Sequence, residues 1–354
     1  MKASSYFSDL VAAIQLPDDL RQAAQKAHTD LRALLENDDD LKQIVTTTFL
    51  QGSYKRHTGT KPAKGENADV DVVAVTTINR AQTAPGVALN TFKPFLEKHY
   101  KGRYRPQGRS WGITVGKIDL DLVPTSAPGQ ATQLILKEAA SSKFFDELGV
   151  DGGVDLGRLQ ELRKAATPEK WRPDALWIPD REAKIWRETN PIAQIDATVD
   201  KNDATNGCYL GTVKLIKWWR RIAYAGKHPK GYPLEHITWM NCPDGIESLA
   251  EGFTRTAESV VRAYKADRAT QRVPSLQDHG VRSHNVLARL SPEDFAAFFD
   301  EVVVVAKAAR AALDEPDLEK SVRQWRAIFG PEFPETPKYS ERKAVTSVVP
   351  GRFA

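Results

Sequence analysis

Two short runs, Asp69-Val70-Asp71 and Asp119-Leu120-Asp121, each set a pair of carboxylates two residues apart inside aliphatic, β-branched sequence. Side chains alternate along a strand, so the acids of each pair share a face with their Cα atoms about 7 Å apart. Val70, Val72 and Ala74, and on the second run Ile118, Leu120 and Leu122, then point the other way, into a core. Like charges at that spacing are unfavourable unless a cation sits between them. If the two strands are neighbours, three or four carboxylates converge on an oxygen-rich patch suited to Mg²⁺. Two ions held there can clamp the attacking and leaving oxygens of a phosphoryl transfer. The other reading is a pair of amphipathic edge strands with solvated acids, and on these residues alone both stand.

A second chemical feature lies upstream. Gly52-Ser53 follows an apolar stretch and precedes Lys55 and Arg56. A glycine lets the backbone come close to a phosphate, and its N–H together with the Ser53 hydroxyl can donate to phosphate oxygens. Alone, Gly-Ser carries little information. The ordered set of strand, Gly-Ser turn, loop, Asp-x-Asp strand and a further acidic strand is far more specific.

The elements that must position these residues follow from the periodicity. Residues 5–15 and 18–37 read as helices; in the second, Leu20, Ala23, Ala27, Leu31 and Leu34 recur at helical spacing after Pro17. The stretch 44–50 favours a strand that stops at Gln51-Gly52-Ser53, 58–67 is a loop, and 69–76 is a second strand. Residues 109–115 and 117–123 form a hairpin turning at Gly116-Lys117. Beyond residue 130 the pattern turns helical, with segments predicted at 130–148, 155–166, 205–226, 232–241, 245–267, 283–289 and 292–313. Pro331, Pro334, Pro337 and Pro350 mark 331–354 as a loose tail. The expected class is α+β, with 1–150 as the sheet-bearing unit, 151–330 as a helical lobe and 331–354 as a flexible extension.

Composition narrows the function. At 354 residues the chain is long enough for roughly two domains and a large core without staples. Its formal net charge of +4 is too small to argue for a nucleic-acid partner by itself. Only Cys208 and Cys242 occur, which excludes a disulfide scaffold or a Cys-rich zinc module and suits a reducing cytoplasm. No apolar run is long enough to span a membrane, and the first residues lack the apolar core of a secretory signal. Gly149 to Gly153 lacks the Lys-Ser/Thr of a P-loop. The pairs Asp278-His279 and Ser283-His284 suggest a hydrolytic triad only superficially, and the seven histidines show no zincin spacing.

The ordered motifs Gly52-Ser53-Tyr54-x-Arg56-x-Thr58, Asp69-Val-Asp71-Val-Val and Ile118-Asp-Leu-Asp121-Leu-Val-Pro124 resemble those of the bacterial CD-NTases. These are cGAS/DncV-like nucleotidyltransferases of the polymerase-β superfamily, related to the oligoadenylate synthetases. The likeness runs from about residue 20 to residue 330. It implies a bilobal fold, with a polymerase-β-like palm carrying the metals and a helical lobe closing over the nucleotide. It further implies that Asp69, Asp71 and Asp121 are the catalytic metal ligands, for two Mg²⁺ or alternatively Mn²⁺, with Asp121 chosen over Asp119 because it directly precedes Leu-Val-Pro. Leu215-Ile-Lys217-Trp-Trp is similar to the helix whose lysine grips the triphosphate. Gly231-Tyr232-Pro-Leu-Glu235 is similar to the following phosphate-contacting segment, although many members have Lys-Ser where Gly231-Tyr232 stands. Gly52, Ser53, Lys217 and Tyr232 are thus the implied nucleotide contacts, and Asn285-Val-Leu-Ala-Arg-Leu matches a structural stretch.

The implied activity is synthesis of a cyclic di- or trinucleotide second messenger from NTPs, ATP among them, that activates an effector in CBASS-type anti-phage defence. Without the His/Cys cluster of a zinc ribbon, no DNA requirement is expected. A HORMA-type or E1/E2-like protein is the implied regulator, and the Ala354 carboxylate an implied conjugation point. Transfer to an RNA 3′ end or a small acceptor, and a non-catalytic scaffold on the same fold, are the alternatives.

Overall fold

Alternating apolar residues build the strands β1 (Val45–Gln51) and β2 (Ala68–Thr76), which pair antiparallel. This is a computed structural model, and it describes residues 4–128, 175–224, 226 and 228–336. β3 (Tyr104–Pro106), β4 (Trp111–Val115) and β5 (Ile118–Pro124) complete a mixed sheet of order β1-β2-β5-β4-β3. The β4–β5 hairpin turns at Gly116, whose φ of 59° suits glycine, as the Gly-Lys turn predicted. β2 and β5 run parallel at the sheet's centre, and that pairing is the link on which the site depends.

The two sheet faces are covered differently. Val70, Val72, Ala74, Ile118, Leu120 and Leu122 bury against α2 (Asp18–Asn37) and α5 (Lys93–His99), as the alternation required. α4 (Pro85–Asn90) adds Leu89 to this layer. On α2 the buried stripe is Ala24, Ala27, Leu31 and Leu35, turned slightly from the expected one. The opposite face carries Phe49, Val73 and Val75, which pack with Leu176 of β6 (Leu176–Asp180) and Ile192 of α6 (Pro191–Ala204). β6 pairs with β7 (Ile185–Thr189) in a separate hairpin. Because Asp69 and Asp71 lie on this second face, just before Val73, the apolar cover ends where the acids begin.

The helical lobe comprises α7 (Tyr209–Ala223), α8 (Tyr232–Asn241), α9 (Leu249–Ala269), α10 (Pro292–Asp314) and α11 (Leu318–Phe329). Its core joins Trp219, Phe253, Phe298 and Trp325, and it also takes Phe7, Leu10 and Ile14 from α1 (Ser4–Ile14). The chain's first helix therefore belongs to the last lobe, while α2 stays on the sheet. The short break at Gln15–Pro17 separates the two.

Three expectations change. Residues 283–289 form turns rather than a helix, because the Asn285 carboxamide accepts from the amides of Leu276 (3.0 Å) and Leu287 (3.0 Å) and so competes with helical pairing. The span 205–226 begins with a turn after α6, with positive-φ Asn206 and Gly207, and only then enters α7. Pro331 does not begin a loose tail: Phe333 is fully buried beside Phe7 and Phe329, and Arg326 donates to the carbonyls of Pro331 (3.0 Å) and Phe333. The segments 130–148 and 155–166, and residues 337–354, lie outside the described residues.

Candidate active site

The parallel register sets Asp69 beside Asp119 and Asp71 beside Asp121. All four carboxylates thus share one face, as the two Asp-x-Asp runs required. Their electrostatics separate them into unlike members. Asp71 is pushed up to about 7 by burial and by the charges of Asp69 and Asp121, against an opposing pull from Arg56. Asp121 rises to about 6, chiefly through burial and Asp69, although Gln107 donates to its Oδ1 at 2.9 Å. Asp69 is raised by burial and by Asp119. Asp119 differs: burial would raise it, but Thr114 (2.7 Å), Asn67 (3.1 Å) and Arg105 (3.3 Å) donate to it and hold it below the usual carboxylate range. It is already satisfied by protein groups, whereas Asp69, Asp71 and Asp121 repel one another.

That repulsion is what a divalent cation would relieve. Among the described residues no three His, Cys, Asp or Glu side chains converge into a ready-made cage. Mg²⁺ commonly takes one or two carboxylates and completes its octahedron with water and substrate phosphates. The donor set is hard oxygen throughout and fits that ion.

Gly52 directly follows β1, whose last residue Gln51 is the register partner of Asp71. Its φ is 75°, and a Cβ there would collide with Asp71 Oδ2. Only glycine permits the backbone to pass so near the carboxylate. Ser53 follows in the single-turn helix α3 (Gly52–Lys55), whose fold-back is fixed by Arg56 N to Gly52 O (3.1 Å) and Thr58 N to Ser53 O (3.0 Å). The Gly-Ser turn and the acids, 16 residues apart between Ser53 and Asp69 in the chain, are therefore adjacent.

Facing this turn from the helical lobe is a buried charge cluster whose members the sequence offered singly and not as a group. Lys217 of α7 donates to Glu235 Oε1 (2.6 Å) and to the Thr58 carbonyl (3.0 Å). Glu235 Oε2 accepts from Arg56 Nε (3.1 Å) and Thr58 Oγ1 (2.9 Å). Lys217 is thus brought to the Gly52–Thr58 turn as expected, but held by a carboxylate. Tyr232 places its ring under the Arg56 guanidinium, 5.2 Å from ring centroid to Cζ. Its hydroxyl is buried beside the Asp278 carboxylate without a well-formed hydrogen bond, and burial and that charge raise its pKa. Arg56 and Glu235 were both legible only as members of quoted motifs; their joint signal is a buried Arg and Glu that need each other, which spacing cannot reveal.

The remaining candidates are accounted for structurally. Asp278 accepts from the amides of Gly280 (2.8 Å) and Val281 (3.0 Å) and from Gln194 (3.1 Å), which makes it a loop anchor rather than a triad acid. Trp218 and Trp219 pack in the helical core. Ala354 lies outside the described residues. No helix among the described residues is long and apolar enough to cross a membrane.

Comparison with known proteins is consistent with this geometry. Residues 1–144 match the Second Messenger Oligonucleotide or Dinucleotide Synthetase domain family. The chain is 36% identical over 352 residues to a cyclic AMP-AMP-GMP synthase of Enterobacter hormaechei, covering 94% of this chain and 92% of that one. In structure it is similar to the CD-NTase CdnG of Bradyrhizobium diazoefficiens solved with GTP (TM-score 0.67, 16% identity, 92% and 94% of the two chains). It is also similar to CdnC of E. coli MS115-1 in its complex with HORMA-deltaN (TM-score 0.59, 16% identity, 94% and 98%).

Proposed function

The chain belongs to the CD-NTase family of cyclic-oligonucleotide synthases, and from that premise we propose which of its residues carry nucleotidyl transfer and what they make. Asp69, Asp71 and Asp121 would hold the divalent cations, with Asp119 outside the set because its oxygens are already taken. Bound there, Mg²⁺ or Mn²⁺ would supply the positive charge that acidifies an acceptor ribose hydroxyl and offsets charge gathering on the α-phosphate. Gly52 allows the backbone to approach the phosphates, and Ser53 offers its hydroxyl to them. Lys217 supplies a donor to the β- and γ-phosphates from the helical lobe. Tyr232 contributes its ring face as the support under Arg56 rather than its buried hydroxyl.

The observation that carries this assignment is the parallel β2–β5 register. It unites three carboxylates from two distant segments and leaves them mutually repelled on a face where the apolar cover stops.

The 36% identity to a cyclic AMP-AMP-GMP synthase supports a cyclic trinucleotide built from ATP and GTP as the product. A role in CBASS-type anti-phage signalling follows from membership in the family. The likeness to CdnC bound by HORMA-deltaN supports a HORMA-type regulator, and the two free cysteines suit a cytoplasmic enzyme. The test is mass spectrometry of products formed from all four NTPs with Mg²⁺, after phosphatase treatment. A phosphatase-resistant cyclic trinucleotide of two AMP and one GMP is expected. A linear, phosphatase-sensitive ladder would overturn the product assignment.

A further inference from the structure

Glu235 lies in the first turn of α8, 3% exposed, and its carboxylate serves both lobes at once. From the sheet lobe it takes Arg56 Nε and Thr58 Oγ1, and from α7 it takes the Lys217 ammonium. The residues it grips are the far end of the turn that begins with Gly52-Ser53, since Arg56 N and Thr58 N close back on the carbonyls of Gly52 and Ser53. An ammonium has three N–H donors. Two of those on Lys217 go to Glu235 and the Thr58 carbonyl, and one remains.

We infer that Glu235 is a positioning residue for the NTP triphosphate: it fixes the Lys217 ammonium in register with the Gly52–Thr58 turn, with one donor left for a phosphate oxygen. The inference rests on the reading of Lys217 as a triphosphate contact. The charges around Lys217 say why an anion is needed. Burial pulls its ammonium below the ordinary lysine range, Glu235 opposes this, and Arg56 and Arg221 push with burial. Lys214, one turn earlier on α7, is a further cation close enough to feel Lys217. Glu235 is the one carboxylate among these groups. Glu235→Gln keeps the size and an acceptor oxygen but removes the charge. Lys217 then sheds its proton at a lower pH, so nucleotide affinity falls as pH rises.

The test is calorimetric titration of α,β-methylene-ATP with Mg²⁺ into the full chain across the neutral to mildly alkaline range. The wild type is expected to hold a steady Kd above about pH 8, where Asp71 and Asp121 are already ionised. Glu235→Gln should weaken by about tenfold per pH unit above the new Lys217 pKa. Glu235→Gln with Lys217→Arg should be flat again, because a guanidinium stays charged. A Glu235→Gln profile parallel to wild type, with Lys217→Ala still weakening binding, would overturn the role of Glu235 alone. An unchanged Kd in Lys217→Ala would overturn the lysine reading beneath it. Should Glu235→Gln lose its melting transition, Glu235→Asp takes its place: the charge stays while the reach shortens, so a weaker but pH-flat Kd is expected, and an unchanged Kd contradicts the inference.

Discussion

Two charged regions lie close together in the fold, and they are built on opposite terms. On the strand face, Asp69, Asp71 and Asp121 gather like charges, and burial with mutual repulsion lifts Asp71 to about 7 and Asp121 to about 6. Across from it, burial would raise Glu235 too, but Lys217 and Arg56 hold it down to about 2. One region is electrostatically incomplete and the other is closed within the protein. A fold tolerates the first only where a ligand completes it, since removing unpaired buried charge would otherwise favour stability. The contrast separates a reaction centre from the framework that aims at it.

The strongest way to break this contrast is to compare neighbouring acids. Asp121→Ala should lower turnover on the order of 10³-fold, because a cation ligand is lost. Asp119→Ala should cost much less, since its partners are Thr114, Asn67 and Arg105; initial rates of product formation decide, and the reverse order would mean that the cation sits one strand repeat away. Gly52→Ala comes next. Its φ of 75° and the collision with Asp71 Oδ2 should reduce turnover roughly 10²-fold and stability by about 1–2 kcal/mol, read by denaturant melts.

The pH response is the mildest effect and sharpens the comparison. Asp71 and Asp121 bind protons more tightly folded than unfolded, where the ordinary value is 3.8. Their contribution is therefore present in full below that value and is lost as pH rises through about 6 and 7. In metal-free buffer, acidification from pH 7 towards 5 should raise Tm by a few degrees. Asp71→Asn should flatten that rise. Glu235 has the opposite sign: its stabilisation is present above 4.5 and lost only as pH falls from there towards about 2.

Much of the strand face was legible because period-two alternation is strict: Val70, Val72, Ala74 and their counterparts on β5 could only face a core, which forced Asp69, Asp71, Asp119 and Asp121 onto one side. Spacing could not tell Asp119 from Asp121: the former is held by Thr114, Asn67 and Arg105, whereas the latter takes Gln107 and is raised by burial and Asp69. α8 was placed at its true bounds, 232–241, whereas α6 and α11 were missed although Asn190-Pro191 and Asp317 cap them, with Asn190 accepting from Ala193 and Asp317 from Lys320. The β6–β7 hairpin is short and half-exposed, so its alternation is weak. Pro331 and Pro334 promised a loose end, but composition does not weigh one Phe333 that fills a ring-lined hole between Phe7 and Phe329. The Arg56–Glu235–Lys217 cluster joins residues 179 and 18 positions apart and has no local signature.

The most direct measurement of the central claim is product formation by the Asp69→Asn/Asp71→Asn double variant, assayed with ATP, GTP and Mg²⁺ alongside its melting curve in metal-free buffer. The account predicts no detectable product and a Tm equal to or above that of the wild type, because the neutral amides relieve the repulsion on the strand face while losing the charge that holds the cation. Retained turnover with an unchanged melting curve would contradict it, and would move the reaction centre away from β2 and β5.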